Sequence, residues 1–414
     1  MKITKLRSML LEGPRSDHTE GQASGKISKL VIKIETDSGL YGLGEADNFL
    51  GVREALDFIE NYLVGREPFD VRPIVSEMLY GSLPPHPAPT SDAFDEASQA
   101  GPHRRSMSPT ATVTGPVVWA VSGVEIALLD LVGKATNMPV YHLLGGRFRD
   151  RVQIYLDRSS PREVDNLDAW RKLATDSLSS GFNQIKFDID CTAPDCTADV
   201  WNRSIRINQM QKIKERLEVV REEIGWDVEL SVDCHMHYQA PDAIRLAHEL
   251  APLKLMWLED PTPIINPDAC AHVKAKSPIP ICIGEMLIAE QIRLFIDRDA
   301  CDVIHPDVMF VGGLHEIRRV ADYAELHYLP LALHSNGGCL AVIAAAHAAA
   351  AARNFLSLEY HFLDSEWLGA YVKREGLPLF RDGMLPLSDA PGLGVELDAE
   401  VCREHLAADE SLLI

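Results

Sequence analysis

Apolar and polar positions alternate from Lys29 to Glu35 (KLVIKIE), pause at a TDSG turn and resume from Leu40 to Glu45. A period of two broken by a turn predicts an antiparallel hairpin with one solvated face. From Arg53 to Leu63 the apolar residues recur at helical spacing, and Gly115 to Thr136 is apolar almost throughout, predicting a buried helix before the turn MPVYHLLGG. Two stretches carry no period. Gly13 to Gly25 is polar and Gly-rich, predicting a mobile loop, and Tyr80 to Thr114 is rich in Pro, His, Ser and Ala, predicting an irregular segment that is either functional or disordered.

Beyond Val152 the pattern changes to short, β-branched or aromatic apolar runs. They are Val152 to Leu156, Gln184 to Ile189, VELSV before Asp233, KLMWL before Glu259, IPICIG before Glu285, Asp302 to Asp307, Leu329 to His334 and Phe355 to Glu359. Runs of this kind read as buried parallel strands. Helical periodicity fills intervals between them, at Ala169 to Leu178, Trp201 to Ile224 (after an insertion, Cys191 to Asp199) and Asp242 to Leu250. Strand and helix in regular alternation predict an α/β fold, and eight such strands close most simply as a (β/α) barrel. No residue-level repeat accompanies that period. The tail after Pro378 is turn-rich and is expected to leave the barrel and pack on the N-terminal region. The expected division is therefore 1–145, 146–378 and 379–414, within a length of 414 residues that suits about two domains.

The formal charge of −21 argues against nucleic acid or an anionic membrane as partner. An anionic substrate then needs a local positive centre, which a bound divalent metal supplies. The eight cysteines are scattered with no CxxC pair, which fits a reduced, cytoplasmic setting. The opening MKITKLRSMLLEGPRSD reads neither as a signal peptide nor as a membrane span.

Asp233, Glu259 and Glu285 each close a predicted strand, at equal intervals of 26 residues. Any one of them alone could cap the following helix. Three in phase converge on one barrel face, where their repulsion calls for a hard cation, and oxygen ligands favour Mg²⁺ or Mn²⁺ over zinc. The other predicted strand ends carry Lys186, Asp188, His235, Asp307, His334 and Glu359. In such barrels the chemistry sits at those ends. Lys186 is placed to act as an electrophile or carboxylate holder. His235, two residues past Asp233, projects to the same face if the strand stays extended. Asp307 and His334, on successive strands, can form a pair in which the carboxylate fixes the imidazole tautomer.

With these residues in place the chain resembles the enolase superfamily, in its mandelate racemase type of subgroup. The motifs that carry the resemblance are GLYGLGEA, EIALLDLVGKATNMPVYHLLGG, IKFD, VDCH, WLEDP, GEM, HPDVMFVGG, LHSNGG and LSLEYH, from Leu40 to His361. The resemblance implies a modified TIM barrel under an α+β cap completed by the C-terminal tail. It implies Mg²⁺ on Asp233, Glu259 and Glu285, and reactions that begin by removing the proton α to a carboxylate, as described generally for this superfamily. Lys186 matches the first lysine of the subgroup's KxK motif, and Asp188 stands where many relatives keep the second. That departure weakens a racemase, which needs a base on each face. His235 resembles the DxH pattern of galactonate- and mannonate-type sugar acid dehydratases.

The implied reaction is dehydration of an acid sugar to a 2-keto-3-deoxy acid. His334, oriented by Asp307, would be the α-proton base and His235 the acid for the departing hydroxyl, roles the two can exchange with substrate stereochemistry. Lys186 and the metal would hold the carboxylate, and Glu359 the developing enediolate. Asp188, Arg15, His18 and the cluster His103, Arg104 and Arg105 would contact substrate. An epimerase or lactone cycloisomerase is the rival within enzymes, and a metal-stabilised barrel with no activity the rival outside them. Members of such a family assemble as homo-oligomers, from dimers to octamers.

Overall fold

The computed structural model describes residues 1–14, 26–80, 115–161, 163–190, 198–199, 201–361, 363 and 365–413. Arg15, His18, His103, Arg104 and Arg105 lie outside the described residues, as does most of the insertion at 191–199.

The cap is a three-stranded antiparallel sheet of β1 (Ile3–Pro14), β2 (Lys26–Thr36) and β3 (Tyr41–Asp47), flanked by α1 (Val52–Leu63), α2 (Val71–Tyr80) and the long α3 (Pro116–Thr136). The hairpin expectation places β2 and β3 correctly, but β1, through Gly13 and Pro14, was not foreseen. The sheet is also not solvated on one face. Lys29 and Lys33, on the polar side of the alternation, are buried, because Lys29 Nζ reaches Asp47 and the Asn336 carbonyl while Lys33 Nζ donates to the Leu413 carbonyl. The apolar face meets α3, and glycine makes that approach possible: a Cβ at Gly42 would lie 1.9 Å from Ala127 O and one at Gly44 2.1 Å from Gly123 O. α3 has the length and hydropathy of a membrane span, yet 83% of its most apolar window is buried inside the protein, as suits a core helix.

Among the described residues eight parallel strands follow: β4 (Arg151–Asp157), β5 (Gln184–Asp188), β6 (Glu229–Asp233), β7 (Leu258–Glu259), β8 (Ile281–Ile283), β9 (Val303–Ile304), β10 (Leu331–Leu333) and β11 (Phe355–Tyr360). They pair in chain order, and β11 closes the ring by pairing Leu358 with Ile154 and Glu359 with Tyr155 of β4. A closed barrel of this kind leaves no free edge. The expected helix from Trp201 begins only at Ile207, because Asp199 Oδ1 accepts from the Trp201 and Asn202 amides (3.0 and 2.9 Å) and Arg203 is left-handed, making a turn of the first residues.

The tail divides its contacts. Met384–Pro386 pairs antiparallel with β4, and Ala399–Glu404 then leads to the cap's open edge, where Ala407 N donates to Leu10 O and Glu12 N to His405 O. Glu45 of β3 fastens cap to barrel from the other side. It accepts from the Gly338 and Ala341 amides, at the start of the helix Cys339–Ala351, and from the Tyr371 hydroxyl.

Candidate active site

Strand register sets the floor of the site. Asp188 of β5 lies opposite Asp233 of β6, and Asp233 opposite Glu259 of β7, so three carboxylates stand in a row at the C-terminal rim. Glu285 follows β8 across the tight turn at Gly284, whose φ of 144° suits only glycine. Asp233, Glu259 and Glu285 are buried and offer oxygens within 4.8 Å of one another.

Lys186 stands among them, its Nζ 2.6 Å from Glu259, 2.7 Å from Glu359, 3.1 Å from Asp233 and 3.3 Å from Asp157. Burial works against its charge, but Glu259, Glu359, Asp233 and Asp157 outweigh that and hold its pKa well above the ordinary lysine value. One ammonium does not balance so many acids. Asp260, fully buried, has no hydrogen-bond partner on either oxygen among the described residues, and burial, Glu285 and Asp233 push its carboxyl well up. An oxygen-rich, under-neutralised cluster of this kind fits a divalent hard cation.

An imidazole flanks each side of the trio. His334 Nδ1 lies 2.7 Å from Asp307 Oδ2, and its Nε2 faces Glu285 (3.2 Å) and Glu359 (3.5 Å). Asp307 is itself fixed by the Met309 and Asn336 amides (2.6 and 3.2 Å), so the carboxylate cannot swing away. Burial opposes protonation of His334, yet Glu359, Glu285 and Asp307 raise its pKa well above that of free imidazole. Phe310, Trp119 and Phe49 form an aromatic wall from this ring to the cap, with successive centroids 6.2, 5.4 and 5.0 Å apart.

His235 is beside the trio, its Nε2 3.6 Å from Asp233, but not for the reason its spacing suggests. β6 ends at Asp233, and His235 and Met236 are left-handed (φ 42° and 61°), so the chain turns sharply and no longer alternates. The His235 amide donates to Asp233 Oδ1 at 2.8 Å, which closes that turn. Asp188 keeps a buried Oδ1 with no hydrogen-bond partner among the described residues, and burial and Asp157 push its carboxyl well above the usual range. Glu359 accepts from the Ser335 amide at 3.0 Å.

Four residues at this rim were missed. Asp157 ends β4 and lies 3.1 Å from His361 Nδ1. His305, fully buried, puts Nε2 2.9 Å from Glu259 Oε1, and Asp190 lies 3.1 Å from His235 Nδ1. A signal existed: Asp190, His305 and His361 each sit two residues from a residue already singled out, at the period of a strand.

The model of the mandelate racemase/muconate lactonizing enzyme N-terminal domain matches residues 16–145, and that of the enolase C-terminal domain-like fold matches residues 169–401. The chain belongs to this enzyme family. Among its relatives, a D-xylonate dehydratase of Haloferax volcanii is 31% identical over 411 residues, covering 99% of this chain and 93% of that protein. A D-mannonate dehydratase of Sphingomonas sp. is 28% identical and covers 91% of each. The crystal structure of a mandelate racemase/muconate lactonizing enzyme-like protein from Rubrobacter xylanophilus superposes with a TM-score of 0.83 at 31% identity, covering 99% of this enzyme and 98% of that chain.

Proposed function

We propose that the enzyme is a divalent-metal-dependent hydro-lyase that converts an acid sugar to a 2-keto-3-deoxy acid. The observation that carries this reading is the buried acid trio with an imidazole on either side, one held by Asp307 at 2.7 Å. Relatives named for D-xylonate and D-mannonate dehydration support the substrate class.

Asp233, Glu259 and Glu285 would hold Mg²⁺, with Mn²⁺ the alternative, and the ion would draw charge from the substrate carboxylate and so acidify its α-proton. Lys186 holds the other side of that carboxylate, with its ammonium set among the acids. His334 takes the α-proton at Nε2 while Asp307 keeps Nδ1 protonated and the ring in place. Glu359, with Oε1 2.7 Å from the Lys186 ammonium, would hydrogen-bond to the developing enediolate. His235 gives a proton to the departing β-hydroxyl: the C–O bond breaks, water leaves, and the resulting enol picks up a proton to become the ketone. Asp188, with its unpartnered oxygen, contacts a substrate hydroxyl. The expected partner is this small carboxylate, and homo-oligomerisation from dimer to octamer is read by light scattering.

Aldonates and aldarates incubated with enzyme and Mg²⁺ should yield a keto acid from at least one member, and no product after chelation. Silence across both series overturns the reading. The two-imidazole arrangement also suits an epimerase, which takes solvent deuterium into substrate without losing water.

A further inference from the structure

We infer that Asp190 is a positioning residue that orients His235, so that the site contains a second imidazole–carboxylate pair, at the other end of the acid trio from the one formed by His334 and Asp307. The inference rests on the dehydratase reading and assigns a residue that the mechanism above does not use.

The two pairs share one geometry. Each carboxylate meets Nδ1 of its imidazole, at 2.7 Å for Asp307 and 3.1 Å for Asp190, and each ring then turns Nε2 towards the acid trio, His334 to Glu285 and His235 to Asp233. They stand at opposite ends of the acid trio, His334 against Glu285 and His235 against Asp233, one supplied by the ends of β9 and β10 and the other by the ends of β5 and β6. A proton can therefore be taken on one side of a bound acid sugar and delivered on the other.

His235 needs such a holder more than His334 does. Its side chain is 41% exposed against 12% for His334, so packing does not fix the ring. The backbone beneath it is pinned, by His235 N to Asp233 Oδ1 (2.8 Å), Met236 N to Asp260 O (2.7 Å) and His237 N to Cys234 O (2.9 Å). What remains free is rotation about the side-chain bonds, and the terminal torsion of histidine is broad. A contact at Nδ1 removes that freedom. Asp190 is itself well anchored, since Ile189 N extends the β5–β6 ladder to Asp233 O at 2.9 Å and the Tyr238 hydroxyl donates to Ile189 O at 3.3 Å. Its second oxygen lies 3.4 Å from His237 Nδ1, so one carboxylate spans both imidazoles of the turn.

The alternative is an ion pair that merely steadies this turn. The two differ in which half-reaction suffers. Dehydration and exchange of the α-proton in D₂O are measured on one substrate for the wild type, Asp190→Ala and Asp190→Asn. Positioning predicts that Asp190→Ala lowers kcat for water loss by about 10–100-fold, the usual consequence of removing such an outer carboxylate, with KM little changed. Exchange through His334 stays within about twofold, because that pair is untouched. Asp190→Asn recovers most of the loss, since its amide oxygen still accepts from Nδ1, and Asp190→Ala adds nothing on a His235→Asn background. Unchanged dehydration in Asp190→Ala overturns the inference, and so does an equal loss of exchange and dehydration without rescue by Asn. A wild type that neither exchanges nor dehydrates any acid sugar overturns the dehydratase reading and takes the inference with it.

Discussion

Asn336 Nδ2 donates to Asp47 Oδ2 at 3.0 Å, which ties the last residue of the cap sheet to the loop that follows His334. The Asn336 amide donates in turn to Asp307, and Lys29 Nζ lies 2.5 Å from Asp47 in a buried ion pair. The cap is thus wired to the proposed base, and is more than a lid over it. Asp47→Ala removes the carboxylate 2.5 Å from the buried Lys29 ammonium, and breaking a buried pair costs about 3–5 kcal/mol. Chemical denaturation should show that loss, while Lys29→Met combined with Asp47→Leu should be milder than either single change. A single-variant loss under about 1 kcal/mol would count against this account of the pair.

His334 should govern proton removal. His334→Asn is expected to lower both dehydration and α-proton exchange by about 10²–10⁴-fold, the range of a general base. Asp307→Asn should reduce both in parallel and by less, because the imidazole remains. Mass spectrometry of substrate recovered from D₂O reads the exchange, and full deuterium uptake by His334→Asn would move the base elsewhere.

The acid trio should make stability depend on metal. Carboxylates gathered without a cation repel, so Mg²⁺ is expected to raise the melting temperature, by an amount equivalent to about 2.7 kcal/mol at a hundredfold excess over Kd. Glu285→Gln and Asp233→Asn should lose most of that rise. Titration calorimetry checks the binding directly, and an unaltered Mg²⁺ affinity in both variants would remove the ion from this site.

His347 predicts how stability changes with acidity. Buried in the helix Cys339–Ala351, its Nδ1 accepts from the Tyr141 amide (3.2 Å) and its Nε2 donates to Leu393 O (3.3 Å), an arrangement only the neutral ring satisfies. Burial pushes its pKa down to about 4. The unfolded chain titrates near 6.5, so between these values it binds the proton and the folded protein does not. Stability is therefore full above pH 6.5 and falls as pH drops towards 4, by roughly 3 kcal/mol from this group. Melting temperatures over that window should fall more steeply for the wild type than for His347→Gln; parallel curves would exclude the effect.

Much of the site was legible without coordinates, because a parallel strand writes its direction into sequence: an apolar run followed by a polar residue marks the rim of a barrel. Asp233, Glu259 and Glu285 show themselves by their common interval, Asp307, His334 and Glu359 by their place at the ends of such runs, and Lys186 as the one cation inside the run Gln184 to Ile189. The cap hairpin was equally plain, but not its burial on both faces, since a lysine reads as solvated until a partner such as Asp47 or the Leu413 carbonyl is known.

What chain order alone determined, then, is the eightfold alternation and the identity of the acids at its rim, since these depend on contacts between neighbours in sequence and on a period that repeats. Tertiary structure decided which carboxylate meets which imidazole. Asp190 and His235 are 45 residues apart and meet at 3.1 Å only because β5 lies beside β6 and the chain turns left-handed at His235. Register between strands and a backbone angle that reverses a side chain depend on the packed whole, and no local pattern of residues records them.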